Sequence, residues 1–504
     1  MSKDKFYITT PLYYVNSSPH IGHSYTNIAA DCLARYMRLN LGKENVRFLT
    51  GTDEHGQKIQ KAADASGLSA QDFTDKIVVQ FKELWSGLNV TYDDFIRTTE
   101  KRHVDFVQRS IQILFDKGDI AEGKYEGWYC TPCETFWLDA QVSDKACPDC
   151  KRALERISET NYFFKLSKYQ EWLVKYIESE KDFIRPVSRY NEVLSFLKNN
   201  RLADLCISRP KQRLSWGIEL PFSKDHVIYV WFDALLNYIS AVGQFDERGK
   251  YTSKWWPASL HLMAKDILRQ HAVYWPIMLK ALDIQMPKTV FAHGWWMMGE
   301  SKMSKSLGNV ISPVEMAGKY GIDTFRYFLL RDMPFGLDGT FSEEALVKRF
   351  NSDLANDLGN LVYRTLTMAE KYFDSVVPAV SEKPKAREIQ IREKLDRLPE
   401  AISLELRPET NYNFSACLER IWELIAMANK YVEEVKPWSL AKENKAEELK
   451  GFIRLLVDVI RGVALSLRPF MPQTAESILE QAGTDKINKG KPLFPRIDTK
   501  SADK

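Results

Sequence analysis

The sequence predicts an α/β protein: a parallel sheet built from strand–helix–strand units, interrupted by a small metal-stapled insertion and followed by a helical C-terminal part. Three observations predict it. Apolar runs of strand length at residues 6–8 and 46–50 flank a segment in which Ala29, Cys32, Leu33 and Tyr36 recur at the i, i+3, i+4, i+7 spacing of a helix face. Two C-x2-C pairs, Cys130/Cys133 and Cys147/Cys150, stand close together in mid-chain. After residue 345 strand-like runs all but vanish; Leu354, Leu358, Leu361 and Val362, then Ile421, Ile425, Ala428 and Tyr431, follow helical periods. Parallel strands joined by a helix place ligands at their carboxyl ends, so the turns after the strands are where chemistry is expected.

Composition sets outer limits. At roughly 150 residues per domain, 504 residues predict about three domains. An apolar content of 44% and a charged content of 27% are those of an ordinary globular protein. A net charge of +3 is too small to imply a polyanionic partner from totals alone. No apolar run approaches the ~20 residues of a membrane span, and no apolar signal region precedes Phe6, so a cytoplasmic protein without a membrane partner is expected. Cys32, Cys206 and Cys417 are scattered, as in a reducing compartment.

The first strand, Phe6-Tyr7-Ile8, leads through Leu12 and Tyr14 to His20-Ile21-Gly22-His23, on a strand-to-helix turn. A helix N-terminus offers N–H groups and partial positive charge to a phosphate, and Gly22 lets backbone come close to a ligand. The second strand, Val46–Thr50, ends at Gly51-Thr52-Asp53. Asp53 there can hold an ammonium group or cap a helix. Four thiolates at the spacing of the two C-x2-C pairs suit tetrahedral Zn²⁺, and with every position filled by protein the metal is structural; disulfides are the alternative in an oxidising compartment. The apolar strand His226–Trp231 leads into a helix, and Trp231, Ala234, Leu235 and Tyr238 share a face, a spacing that serves a core as well as a pocket. Two further strands end at Ala264-Lys265-Asp266 and at His293. Between Gly299 and Gly308 lie Lys302, Ser304 and Lys305, point charges and hydroxyls that suit a polyphosphate or a solvated loop. In the helical part Asn360 and Arg364 share a helix face, Trp438 follows a proline break, and Pro408, Pro437 and Pro472 punctuate helix ends.

His-Ile-Gly-His at 20–23 and Lys-Met-Ser-Lys-Ser at 302–306 resemble, letter for letter, the two signatures of class I aminoacyl-tRNA synthetases. From about residue 5 to about residue 480 the other stretches resemble methionyl-tRNA synthetases. That resemblance implies a class I Rossmann-type catalytic domain with a zinc-knuckle insertion, followed by an α-helical anticodon-binding domain. The expected limits are 1–116 and 226–310 for the two Rossmann halves, 117–225 for the connective insertion, 311–345 for a stem-contact linker and 346–504 for the helical domain. It implies activation of methionine by ATP and transfer to methionine tRNA, initiator and elongator. His20, Gly22, His23, Asp266, Lys302, Ser304 and Lys305 are implied to bind ATP, with His20, His23, Lys302 and Lys305 catalytic. Leu12, Tyr14, Asp53, Trp231, Ala234, Leu235, Tyr238 and His293 are implied to bind methionine, with Tyr238 or His293 donating to its sulfur. Asn360, Arg364 and Trp438 are implied to read the anticodon. One structural Zn²⁺ on Cys130, Cys133, Cys147 and Cys150, and Mg²⁺ with ATP, complete the set. The chain departs from the pattern at Leu235, proline in some relatives, and at Ala264, glycine in many. Some relatives end in a further domain that dimerises them; the chain stops before one, so a monomer is expected. A leucyl or valyl enzyme would need a large editing insertion for which 117–225 leaves little room, and an inert paralogue would not need both signatures.

Overall fold

The computed structural model describes residues 5–16, 18–130, 135–137, 139, 142–148, 150–298, 301–302, 311–381 and 383–498. The chain divides into two compact units: Met1–Pro19, Leu41–Ser86 and Val90–His293 form one, His20–Asn40, Gly87–Asn89 and Gly294–Lys504 the other.

The first unit is built on a seven-stranded sheet, whose strands are β1 (Phe6–Thr9), β2 (Tyr13–Tyr14), β3 (Val46–Asp53), β4 (Asp94–Arg97), β5 (Ile184–Arg185), β6 (Leu260–Ala264) and β7 (Val290–His293). Every pairing is parallel. β1 lies between β3 and β6, β7 and β5 continue beyond β6, and β4 flanks β3. The chain goes first to one side of β1 and later to the other, so the strand order reverses there, and a ligand crevice belongs at the carboxyl ends of β1 and β6. All four residues of β1 and of β7 are buried, which is why they read as unbroken apolar runs: a parallel sheet is covered on both faces. At the centre of the sheet Thr9 and His261 are matched. Trp275 Nε1 donates to His261 Nε2 at 3.2 Å, leaving Nδ1 to donate to Thr9 Oγ1 at 2.7 Å, and burial holds the His261 ring well below its usual range.

Two expected strands differ from their sequence reading. The second runs on to Asp53 rather than ending at Thr50, because Gly51 and Thr52 keep pairing with β4. Gly51 permits this; a Cβ there would stand 1.9 Å from the Ile96 carbonyl oxygen. The strand placed at His226–Trp231 is instead Ser223–Ile228, in a separate antiparallel sheet with Ser208–Pro210 and Glu219–Leu220. Trp231 already belongs to the helix Val230–Leu235, whose first turn carries Asp233, an acidic residue suited to a helix N-terminus. The insertion is an antiparallel sheet dominated by Ile120–Cys130 against Glu155–Phe164, in register from Ile120↔Phe164 to Tyr129↔Glu155.

In the second unit the helices that matter below are α1 (Ile21–Leu41), α2 (Ile322–Arg331), α3 (Asn360–Phe373), α4 (Ala386–Glu405), α5 (Phe414–Val435), α6 (Pro437–Lys442), α7 (Ala446–Leu467) and α8 (Pro472–Ala482). The periodic residues Ile421, Ile425, Ala428 and Tyr431 of α5 are buried as their spacing predicts. Pro437 and Pro472 each open a helix at its first position, where proline's fixed φ and missing N–H cost nothing. Among the described residues no helix is long and apolar enough to cross a membrane.

Candidate active site

α1 begins on the first signature. The His20 carbonyl accepts the backbone N–H of His23 at 3.0 Å, making His20 the residue that opens the helix. The Gly22 N–H donates to His20 Nδ1 at 3.1 Å, and the His20 N–H donates to His23 Nδ1 at 3.2 Å. This is a reciprocal capping arrangement made from two imidazoles, satisfying N–H groups that a helix start otherwise leaves open. Because both Nδ1 atoms accept, each neutral ring carries its hydrogen on Nε2. The rings are stacked 3.9 Å apart with 24° between their planes. Gly22 makes room for them, since a Cβ there would lie 3.0 Å from His20 Cε1. Of the second signature, Lys302 pairs in backbone register with Met297; Ser304 and Lys305 lie outside the described residues.

In the first unit the residues expected to meet the amino acid fall on strand ends. Asp53, 8% exposed, closes β3; it pairs in register with Tyr14, and its carbonyl accepts the Val15 N–H at 3.2 Å. Neighbouring Glu54 is fully occupied: Arg97 Nε and Nη2 hold its two oxygens at 2.7 and 2.8 Å, with Thr52 and Thr99 adding 2.6 and 2.7 Å. Leu12 packs half-buried on the core, and Tyr14 has the Lys58 ammonium 5.5 Å from its ring. Asp266 is exposed on the turn after β6, and His293 is buried at the end of β7, opposite Ala264.

Trp231 is half-buried, while Ala234, Leu235 and Tyr238 are buried. The neighbouring histidine expected from the resemblance is His293; the one the structure brings to these residues is His271. The structure places His271 Nε2 2.7 Å from the Tyr238 hydroxyl, and its ring edge-on to Trp231 at 6.4 Å. Its Nδ1–H donates to the Ile267 carbonyl at 2.9 Å. Burial depresses its pKa to about 4, so the ring is neutral near pH 7 and Nε2 accepts from Tyr238 O–H. The Tyr238 hydrogen, expected to face a thioether, is therefore committed to His271. The signal available in the sequence is the i, i+4, i+8 series Ile267, His271, Trp275; the structure adds that His271 sits in a π-helical turn, Gln270–Tyr274, of the kind that recurs at functional sites.

The Sγ atoms of Cys130, Cys147 and Cys150 lie within 4.8 Å of one another, with Cys130 and Cys150 3.5 Å apart, and none of the three is in a disulfide. Zinc–sulfur bonds of about 2.3 Å fit such a cluster. Cys133, the fourth expected ligand, lies outside the described residues. In the helical part Asn360 is exposed, and Arg364 reaches Glu433 on α5 at 3.0 Å. Trp438 follows on α6 and is 47% exposed.

A family model described as tRNA synthetases class I (M) matches residues 6–159 and 153–366. The methionine–tRNA ligase of Caldanaerobacter subterraneus subsp. tengcongensis is 47% identical over 98% of this chain and 79% of its own length. The chain belongs to the methionyl-tRNA synthetase family. A second family model, the anticodon binding domain of methionyl tRNA ligase, matches residues 377–494. Another member of the methionyl-tRNA synthetase family, the methionine–tRNA ligase of Clostridium acetobutylicum, is 48% identical over 98% of this chain and 79% of its own length. Among solved structures, Mycobacterium tuberculosis methionyl-tRNA synthetase in complex with methionyl-adenylate superposes with a TM-score of 0.91 at 36% identity, covering 98% of this chain and 100% of that one.

Proposed function

We propose that this chain is a methionine–tRNA ligase. Membership of the methionyl-tRNA synthetase family, with the histidine pair of the first signature intact on a helix N-terminus, carries the reading. The superposable mycobacterial enzyme is one that holds methionyl-adenylate. A carboxylate oxygen of methionine attacks the α-phosphorus of ATP, the bond to the β-phosphate bridging oxygen breaks, and pyrophosphate leaves. A hydroxyl of the terminal ribose of methionine tRNA, initiator or elongator, then attacks the acyl carbon and AMP leaves. No covalent enzyme intermediate is required, so the protein acts by positioning and by meeting charge on the phosphates.

On this reading the Nε2–H groups of His20 and His23 donate to phosphate oxygens, and Gly22, lacking a Cβ, lets the two rings stand at the helix start where the phosphates come close. Lys302, Ser304 and Lys305 receive the departing pyrophosphate, and Asp266 accepts from the ribose hydroxyls. Asp53 takes the ammonium group of methionine, with Leu12, Tyr14, Trp231, Ala234, Leu235 and Tyr238 around the side chain; His271 joins them and His293 lies at the neighbouring strand end. Mg²⁺ bound with ATP supplies further charge neutralisation. Cys130, Cys133, Cys147 and Cys150 hold one structural Zn²⁺. Asn360, Arg364 and Trp438 meet the anticodon. The domain limits are those given above, and the scattered thiols of Cys32, Cys206 and Cys417, all free, fit a cytoplasmic protein. ATP–pyrophosphate exchange with each of the twenty amino acids tests the reading. Exchange with methionine is expected; exchange with leucine or valine instead, or with none, overturns it.

A further inference from the structure

One buried carboxylate lies among the residues assigned to methionine yet has no part in that assignment. Asp233 is 1% exposed, between Trp231 and Ala234 on the helix Val230–Leu235. Its two oxygens take different partners. Oδ2 lies 2.7 Å from His55 Nδ1 and Oδ1 2.7 Å from His103 Nε2, both rings buried; His103 Nδ1 meets Ser240 Oγ at 2.8 Å. Burial pushes the Asp233 carboxyl up, but the two imidazoles outweigh it and hold the group below the ordinary carboxylate range. Asp233 is thus an ionised acceptor, and each histidine is oriented by donating an N–H to it.

The knot joins three places in the chain. His55 stands two residues after Asp53, at the end of β3; His103 is on the helix Lys101–Asp116; Asp233 is on the helix that carries the aromatic wall. A second bond closes on the same corner, from Trp216 Nε1 to the Glu54 carbonyl at 2.5 Å, with the Trp216 ring 5.4 Å from that of His55. A buried carboxylate is expensive to desolvate, and apolar packing of the same volume would stabilise the fold at least as well. What the ionic knot adds is direction: two charge-assisted bonds fix where the wall stands relative to the strand end.

We infer that Asp233 is a positioning residue for the amino-acid pocket, setting the Trp231–Ala234–Leu235 wall against Asp53 and thereby the discrimination between methionine and homocysteine. The inference rests on the proposed function. Homocysteine lacks one methyl group, a difference that a hydrophobic pocket distinguishes only about 10–200-fold, so a small displacement of the wall shows in that ratio.

Asp233→Asn can keep the geometry. Its amide oxygen accepts from His55, its amide N–H donates to His103 Nε2, and His103 Nδ1–H donates to Ser240, whose hydroxyl can accept. Asp233→Ala removes the knot, and His103→Ala removes one arm. With the full-length chain, methionine, homocysteine and ATP kinetics in pyrophosphate exchange are measured beside the melting temperature. Asp233→Ala and His103→Ala are expected to raise the methionine KM roughly tenfold, since misplacement by about 1 Å is worth that much or more. The ATP KM stays near the parent's, the methionine-to-homocysteine ratio of kcat/KM shrinks, and Asp233→Asn stays close to the parent. Should Asp233→Ala fail to fold, His103→Ala carries the same readout. Unchanged methionine KM and discrimination in an alanine variant overturn the inference, as does an equal loss of methionine and ATP affinity tracking the melting temperature. A parent that does not exchange with methionine overturns the proposed function and this inference together; an active parent with unchanged variants overturns the inference alone.

Discussion

The choice of protonation state at His271 follows from two bonds and one environment. Its Nδ1–H is held by a carbonyl, its Nε2 accepts from Tyr238, and burial opposes the charged form. The consequence for stability has a definite sign. The unfolded histidine takes up a proton as pH falls through about 6.5, whereas the folded one resists until about 4. Between these values the unfolded state binds more protons, so stability is full above pH 6.5, falls as pH drops towards 4 and levels off below it. The drop amounts to about 3 kcal/mol across that window at 1.36 kcal/mol per unit. His261, depressed by burial and by His271, acts in the same direction. His271→Gln, which keeps an acceptor for Tyr238, should lose less stability than the parent between pH 7 and pH 4.5 in urea unfolding. Equal losses in the two proteins would show that the histidine is not a source of the acid sensitivity.

At the level of elements, the roles proposed for the insertion and for the helical bundle can be tested separately. Cys147 and Cys150 are held by the turn in which the Cys147 N–H donates to the Arg152 carbonyl at 2.8 Å and the Lys151 N–H to the Cys147 carbonyl at 2.9 Å, and Cys130 meets them from the end of the strand Ile120–Cys130. Among the described residues Trp137 and Leu154, with Trp128 and Val142, pack around them. The zinc ion proposed for these thiols would add local folding energy to that small cluster. Cys147→Ser should lower zinc content below one per chain and make residues 120–164 sensitive to protease; full zinc occupancy in the variant would remove Cys147 from the ligand set. In the bundle, Trp438 is 47% exposed, so its ring is not committed to the core and is open to the base stacking proposed for it. Stacking on an aromatic is worth about 1–3 kcal/mol per base, which corresponds to roughly ten- to a hundredfold in tRNA aminoacylation. Trp438→Ala is therefore expected to lose that much aminoacylation while retaining pyrophosphate exchange and melting temperature. Loss of all three together would assign it to packing.

On the scale of the whole molecule, Arg326 reaches a residue 295 positions away in the chain. It is completely buried on α2. Its Nη2 donates to Asp31 Oδ2 on α1 at 2.8 Å and to the Pro469 carbonyl at 3.1 Å, its Nε to the Phe470 carbonyl at 3.0 Å, and its Nη1 to the Leu88 carbonyl at 3.3 Å. Nearby on α2, Asp323 accepts the Thr474 N–H at 2.6 Å in the first turn of α8. One short helix thus satisfies the chain break between α7 and α8 and fixes the helix that starts on His20–His23. Arg326→Met takes one guanidinium from Asp31, which Arg35 also holds at 2.7 Å, and removes the donors that Arg326 gives to three backbone carbonyls. Breaking a buried ion pair from one side costs about 3–5 kcal/mol. A urea midpoint equal to the parent's would show that the network is not needed.

The sequence by itself determined the parallel α/β core, the helical C-terminal part, the gathering of Cys130, Cys147 and Cys150 and the family, because each is written in local spacing: apolar runs, helical periods, C-x2-C pairs and two contiguous signatures. The places of His20, Gly22 and His23 at a helix start and of Asp53 at a strand end were legible for the same reason, their roles there being proposed. What only the tertiary structure decided are the pairings between distant residues. The seating of His271 against Tyr238, the sharing of Asp233 between His55 and His103, and the burial of Arg326 against Asp31 all join residues far apart in the chain. Spacing cannot announce them, since a histidine or aspartate on an apolar helix face looks the same whether its partner is solvent or a group brought there by the fold. The protonation states follow from burial, which is a property of the assembled core and not of any stretch of sequence.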